Sequence, residues 1–250
     1  MTRGRGVHLD DARTPDGMRI YAIGDVHGCA DLLEALYSEI DRELERDAPE
    51  DWRIIHIGDY GDRGPDTKRA LDLIIERRSD RRVLSLMGNH DEGWLTFLAD
   101  PHPVGLFVAH GGDMTARSYG VDADLSDVAG RIRTRDELLA AMPQAHLDFL
   151  RGLPRSFSFG DYYFCHAGIR PGVELAIQDR EDLIWIRKEF LAYQGLHPRI
   201  IVHGHTPSAE VEMLSNRINV DTGAVKTGVM TAVVLDGRTK RIIDVRQDRA

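Results

Sequence analysis

Five segments of this chain end an apolar run in a small cluster of Asp, His or Asn with glycine beside it. They are Gly24-Asp25-Val26-His27-Gly28, Gly58-Asp59-Tyr60-Gly61-Asp62-Arg63-Gly64, Gly88-Asn89-His90-Asp91, Cys165-His166-Ala167-Gly168 and His203-Gly204-His205-Thr206-Pro207. Asp, His and Asn without cysteine form a ligand set for a hard or borderline divalent ion such as Mn²⁺, Fe²⁺ or Zn²⁺. An Asp-x-His pair can place a carboxylate and an imidazole on one ion while another carboxylate bridges to a second. Two ions ~3.5–4 Å apart polarise a phosphoryl group and lower the pKa of a water between them. Any one segment arises by chance; five together point to phosphoester hydrolysis.

The segments must be brought to one place, and the pattern around them says how. Apolar runs 19–23, 53–57, 82–87, 162–165 and 199–203 read as strands, and 217–220, 229–235 and 241–245 follow with only turns between them. Leu32, Leu33, Leu36, Tyr37, Ile40 and Leu44 recur at helical spacing and predict a helix over 31–46. Pro65 opens a second over 66–78, Thr134 with Glu137 reads as the capping box of a third, and a fourth covers 181–193. The stretch 100–130 reads as a long loop bordering the site and governing access to it. Strands alternating with helices, then strands alone, predict an α/β sandwich whose strand ends gather the clusters at one edge.

The ordered set GDVHG, GDYGDRGPD, GNHD, HAG and GHTP resembles the phosphoprotein phosphatase family of the metallophosphoesterase superfamily, in its bacterial and phage members. The likeness extends to Asp182-Leu183-Ile184-Trp185-Ile186-Arg187 and Val220-Asp221-Thr222-Gly223-Ala224-Val225, and so spans about 19–235. It implies a β-sandwich of two mixed sheets flanked by helices, with the active site at strand C-terminal ends. It further implies two divalent ions, with Mn²⁺ expected and Fe²⁺ or Zn²⁺ as alternatives. By position, Asp25, His27 and Asp59 would hold the first ion, and Asp59, Asn89, His166 and His205 the second. His90 would be the general acid, with Asp62 orienting it. Arg63, Arg187, Asn89 and, less directly, Arg170 would contact the substrate phosphate. The implied reaction is in-line attack of a metal-bridged hydroxide without a phosphoenzyme.

Three functional readings are weighed. Asp62 is present, as in serine/threonine protein phosphatases, whereas diadenosine tetraphosphatases of the same family typically carry alanine there. Asp91 instead agrees with the tetraphosphatases. The expectation is a serine/threonine protein phosphatase acting on phosphoproteins or small phosphoesters, with dinucleoside polyphosphate hydrolysis as the alternative. A catalytically silent scaffold is the third reading, against which the complete ligand set counts. Thr206-Pro207, where nucleases of the superfamily carry a second histidine, argues against nuclease activity.

Composition bounds the rest. Forty-one Asp and Glu against 32 Lys and Arg leave a net charge of −9 over 250 residues. That balance argues against nucleic-acid and membrane partners. It is compatible with phosphate because the field that matters belongs to a metal-loaded site; metal-free protein is expected to bind phosphate poorly. Residues 1–17 are expected to be a flexible lead-in before a single catalytic domain over 18–250, and their lack of an apolar core argues against a signal peptide. Two cysteines, Cys29 and Cys165, fit a reducing compartment, so a cytoplasmic location is expected. Both read as small packing residues. The histidines without a motif, His8, His56, His102, His110, His146 and His197, read as ordinary core or surface groups, and Trp185 as packing for the helix that aims Arg187.

Overall fold

Arg19-Ile20-Tyr21-Ala22-Ile23 carries apolar side chains on both faces, a pattern that needs cover on both sides of the sheet. In the computed structural model, which describes residues 6–247, that cover is present. The strands are β1 (Met18–Ile23), β2 (Asp51–His56), β3 (Val83–Ser85), β4 (Ser156–Phe159), β5 (Tyr162–Cys165), β6 (Ile200–His203), β7 (Glu212–Leu214), β8 (Arg217–Asn219), β9 (Val229–Asp236) and β10 (Thr239–Arg246). The helices are α1 (Ala30–Asp47), α2 (Thr67–Arg77), α3 (Asn89–Ala99), α4 (Leu106–Ala109), α5 (Gly112–Ser118), α6 (Val128–Ala141), α7 (Gln144–Arg151), α8 (Asp182–Trp185), α9 (Lys188–Leu191) and α10 (Ala224–Thr227).

The strands form two mixed five-stranded sheets, ordered β10-β9-β1-β2-β3 and β4-β5-β6-β8-β7. β1, β2 and β3 run parallel, with Ile23 opposite His56 and His56 opposite Ser85, so their carboxyl ends finish level. β5, β6 and β8 are likewise parallel. This is the two-sheet, helix-flanked α/β architecture that the sequence implies.

Period-two alternation sorts the side chains into layers. Ile20, Ala22, Ile55 and Ile57 of the first sheet meet Tyr162, Phe164, Val202 and Ile218 of the second, forming the core between them. Tyr21, Ile23 and Ile54 face the other way, onto Leu33, Leu36 and Ile40 of α1 and Leu71 and Ile74 of α2. On the far side, Tyr163, Cys165 and Ile201 are covered by Leu183, Ile184 and Phe190. Each fully buried Leu or Ile contributes about 1.5–3 kcal/mol, so the helical stripe of α1 alone fixes it against the sheet. Asp66 caps α2 by accepting from the Arg69 amide at 3.1 Å.

Four expectations are corrected. The lead-in is packed from residue 6 onward: the Val7 amide donates to the His197 carbonyl, the Leu9 amide to Ser215, and Leu9 and Ala12 enter the inter-sheet core. Residues 1–5 lie outside the described residues. Thr134 caps nothing; it sits buried inside α6, bonded to the Asp124 backbone, and the cap is Asp127, which accepts from the Gly130 amide at 2.7 Å. The helix expected over 181–193 is two single turns, α8 and α9, parted where Ile186 becomes extended (φ −58°, ψ 139°). The stretch 100–130 is partly helical, holding α4, α5 and the start of α6. Among the described residues no helix is long and apolar enough to cross a membrane.

Candidate active site

The loops that leave β1, β2, β3, β5 and β6 converge at the carboxyl edge of the two sheets, and glycine lets them approach. A Cβ on Gly88 would stand 2.1 Å from Asp59 Oδ1, and one on Gly204 2.2 Å from Asp25 Oδ1. The side chains that follow are also bent into place by unusual backbone. Of the six non-glycine residues with positive φ among those described, five are His27, Asp59, Asp62, Arg63 and His205. Left-handed backbone at non-glycine residues costs on the order of 1–3 kcal/mol each and concentrates at functional sites.

Asp59 lies at the middle. Its Oδ2 is 3.5 Å from His27 Nε2 and 3.4 Å from His166 Nε2, and its Oδ1 accepts from the His90 amide at 2.9 Å. Asn89 Oδ1 is 2.9 Å from both His166 Nε2 and His205 Nδ1. Asp25, 4% exposed, accepts from the His205 amide at 3.2–3.3 Å and has Oδ1 4.0 Å from His166 Nδ1. All six residues expected as metal ligands are therefore brought together, Asp25, His27, Asp59 and Asn89 from the first sheet and His166 and His205 from the second.

The donor set fits two cations. His27 Nδ1 donates to the Gly61 carbonyl at 2.7 Å and His166 Nδ1 to the Ile57 carbonyl at 3.1 Å, which turns Nε2 of each ring toward Asp59. Two groups, His27 with Asp59 and His90, and Asp59 with His166 and His205, have ligand atoms all within 4.8 Å, and Asp59 is common to both. Three buried carboxylates, Asp25, Asp59 and Asp221, crowd here. Burial and then the charge of Asp221 push Asp25 well above the usual carboxylate range. Burial resists charge on His166, but Asp59 and Asp25 override it and push the ring up to about 9. A pocket that pulls a proton onto a buried imidazole is one that calls for cationic charge.

His90 opens α3 and stands beside this cluster. Its Nδ1 is 2.7 Å from Asp62 Oδ2, and Arg63 reaches both His27 Nε2 (Nη1, 2.8 Å) and His90 Nε2 (Nη2, 2.5 Å). Burial pulls His90 down to about 4. Arg187, at the break between α8 and α9, donates from Nε to His205 Nε2 at 2.9 Å. Arg63 and Arg187 thus approach from opposite sides. Arg170 is not brought in: its guanidinium makes a two-pronged pair with Asp182 at 2.6 and 2.7 Å, and among the described residues no polar contact joins it to the cluster. Trp185 does not pack inward as expected; it is 41% exposed, its ring 6.2 Å from that of His205 and nearly perpendicular to it.

Four residues in or beside the site escaped sequence reasoning as parts of it. Asp91 accepts from the amides of Asp59 (2.9 Å), Tyr60 (3.0 Å) and Gly88 (2.8 Å), lacing the loop after β2 to the start of α3. Thr115 of α5 donates to Asp62 Oδ1 at 2.8 Å and accepts from the Asp62 amide. His110 brings an exposed ring to 6.5 Å from His90. Asp221 accepts from the Gly223 amide at 2.8 Å beside Asp25. Asp91 and Asp221 lay inside quoted motifs, so their place in the chain was a signal; Thr115 and His110 carried none.

Residues 18–228 match the family model described as calcineurin-like phosphoesterase. The chain belongs to the calcineurin-like phosphoesterases. That family fold implies a dimetal site, in keeping with the ligand cluster. The asymmetrical bis(5'-nucleosyl)-tetraphosphatase PrpE of Anoxybacillus flavithermus is 25% identical over 230 residues, 84% of this chain and 88% of its own. The same-named protein of Halalkalibacterium halodurans is 27% identical over 237 residues, covering 86% and 89%. Among solved structures, a candidate diadenosine tetraphosphatase superposes with a TM-score of 0.65 at 18% identity, covering 97% of this chain and 98% of that one. A serine/threonine phosphatase from Saccharomyces cerevisiae gives 0.57 at 14%, covering 94% and 81%. These two solved structures share the fold; the two sequence relatives carry the tetraphosphatase name.

Proposed function

We propose that this chain hydrolyses dinucleoside polyphosphates, splitting a bis(5'-nucleosyl)-tetraphosphate unequally into a nucleoside monophosphate and a triphosphate. The observation that carries the reading is the likeness to asymmetrical tetraphosphatases over more than four-fifths of both chains. It displaces the serine/threonine protein phosphatase that the motifs put first. The feature behind that preference was Asp62, and its contacts are with His90 and Thr115. A residue that orients an acid acts on proton transfer to the leaving group and does not by itself read the rest of the substrate.

In this reading Asp25, His27 and Asp59 hold one ion, Asp59, Asn89, His166 and His205 the other, with Mn²⁺ the proposed occupant of both. Bound there, two divalent ions polarise the phosphoryl group and acidify water. The chain's own residues do the rest. Arg63 and Arg187 present planar guanidinium forks to the phosphate oxygens from two sides. His90, fixed through Nδ1 by Asp62, turns Nε2 toward the centre and toward Arg63; protonated there as substrate displaces the Arg63 contact, it would give that proton to the departing oxygen.

Protein dephosphorylation remains a second reading on one observation, the complete Asp62–His90 pair, because a serine or threonine alkoxide is the leaving group that most needs a proton. Specificity constants for diadenosine tetraphosphate and a phosphothreonine peptide, measured side by side with Mn²⁺, decide between them. The nucleotide is expected to be preferred by at least about tenfold, with AMP and ATP as products. A preference for the peptide would overturn the proposal.

A further inference from the structure

A cavity of about 170 Å³ lies between Trp185, the face of α3 that carries Gly93, Thr96 and Phe97, and the turn at Pro103 and Leu106. It continues from the catalytic cluster on both walls. On one side, the Trp185 ring stands edge to face with His205, a predicted metal ligand, at 6.2 Å. On the other, α3 begins with Asn89 and His90, and the positions three, four and seven residues after them, Gly93, Thr96 and Phe97 among them, share their face. At 1.5 Å per residue the cleft therefore lies roughly 5–10 Å along the helix from His90. Gly93 makes it: a Cβ there would stand 2.8 Å from Leu106 Cβ, so only glycine lets the first turn of α4 press on α3 and close the floor.

Three of its polar side chains already have partners. Thr96 donates to the Glu92 carbonyl at 2.9 Å, the Glu92 carboxylate is paired with Arg155, and Asp100 with His102 at 2.7 Å. What the lining chiefly offers is apolar wall and the Trp185 side chain, a residue 41% exposed. The volume is below the ~300–1,000 Å³ of sites that engulf a whole drug-sized ligand and suits a single planar ring system.

We propose that this cleft receives one nucleobase of the substrate, stacked against Trp185 while the phosphates lie on the dimetal cluster. The inference rests on the dinucleoside polyphosphate reading and adds where the base goes and how it is read. Because the wall is mostly apolar and stacking tolerates any base, adenine and guanine are accepted alike.

Calorimetric titration of the Mn²⁺-loaded protein with AMP, GMP and inorganic phosphate tests this without turnover. Both nucleotides are expected to bind at least about tenfold more tightly than phosphate, within a few-fold of each other. Trp185→Ala should bring AMP close to phosphate, and Trp185→Phe should restore most of the difference. If wild-type protein binds AMP no better than phosphate, or if Trp185→Ala keeps the preference, the cleft proposal falls whatever the enzyme hydrolyses. If the preference depends on Trp185 but diadenosine tetraphosphate is not cleaved, the base cleft stands and the proposed substrate falls.

Discussion

Asp62 Oδ2 lies 2.7 Å from His90 Nδ1, with both side chains buried and Thr115 holding the other carboxylate oxygen at 2.8 Å. The carboxylate fixes which imidazole nitrogen faces the metal cluster. Replacing His90 by Asn should lower kcat by ~10²–10⁴ on a substrate with an alkoxide leaving group and much less on an activated aryl phosphate. Steady-state kinetics on the two substrates check this, and equal losses would remove His90 from the acid role. Asp62→Asn should give a smaller loss with the same leaving-group dependence.

Ligands from both sheets meet on one oxygen of Asp59. Ion binding should therefore stabilise the whole sandwich as well as activate it. Chelation is expected to abolish turnover and to lower Tm, and Mn²⁺ to restore both; an ion at a hundred times its Kd adds ~2.7 kcal/mol. Scanning calorimetry before and after dialysis against EDTA gives the answer. Fewer than two ions per chain by elemental analysis, with no activation by Mn²⁺, would sink the dimetal reading.

Asp91 satisfies three buried amides with one carboxylate. Asp91→Ala orphans all three, at roughly 1–3 kcal/mol each, and should cost several kcal/mol in urea unfolding together with most of the metal affinity. Asp91→Asn, which keeps one acceptor oxygen, should fall between. A stable Ala variant with full metal content would show that Asp91 positions nothing.

Acid stability should track His56. Its Nδ1 donates to the Leu84 carbonyl at 3.0 Å and its Nε2 accepts from the Tyr37 hydroxyl at 2.6 Å, and burial pulls it down to about 4. The folded pKa lies below the unfolded value of 6.5, so the neutral ring's contribution is complete above pH 6.5 and is lost as pH falls toward 4. The loss is about 3 kcal/mol at most. In chemical denaturation between pH 7 and 4.5, His56→Gln should flatten the wild-type slope by up to one proton; an unchanged slope would contradict the assignment.

Much of this was legible because each cluster is local. Asp25 with His27, or Asn89 with His90, reads as chemistry from spacing alone, and the apolar runs before them could only be strands. What stayed hidden depends on contacts distant in sequence. Thr115 is 53 residues from Asp62, and nothing in its neighbours marks it. The helix α3 went unseen because Asn89-His90-Asp91 reads as a site before it reads as a helix start, although Asp91 caps it. The break at Ile186 and Arg187 was masked by a continuous apolar pattern that two separate turns satisfy equally well. Substrate choice was not legible for a related reason: Asp62 and His90 report on proton transfer, while the cleft proposed to receive the base is assembled from residues 93–106 and Trp185.

The left-handed backbone at His27, Asp59, Asp62, Arg63 and His205 has a consequence for engineering. A small metal-binding hairpin lifted from this chain would relax toward ordinary dihedral angles and scatter its ligands, since no local preference holds these residues where they are. The coordination sphere is a property of the closed sandwich, and grafting it elsewhere means transplanting both sheets.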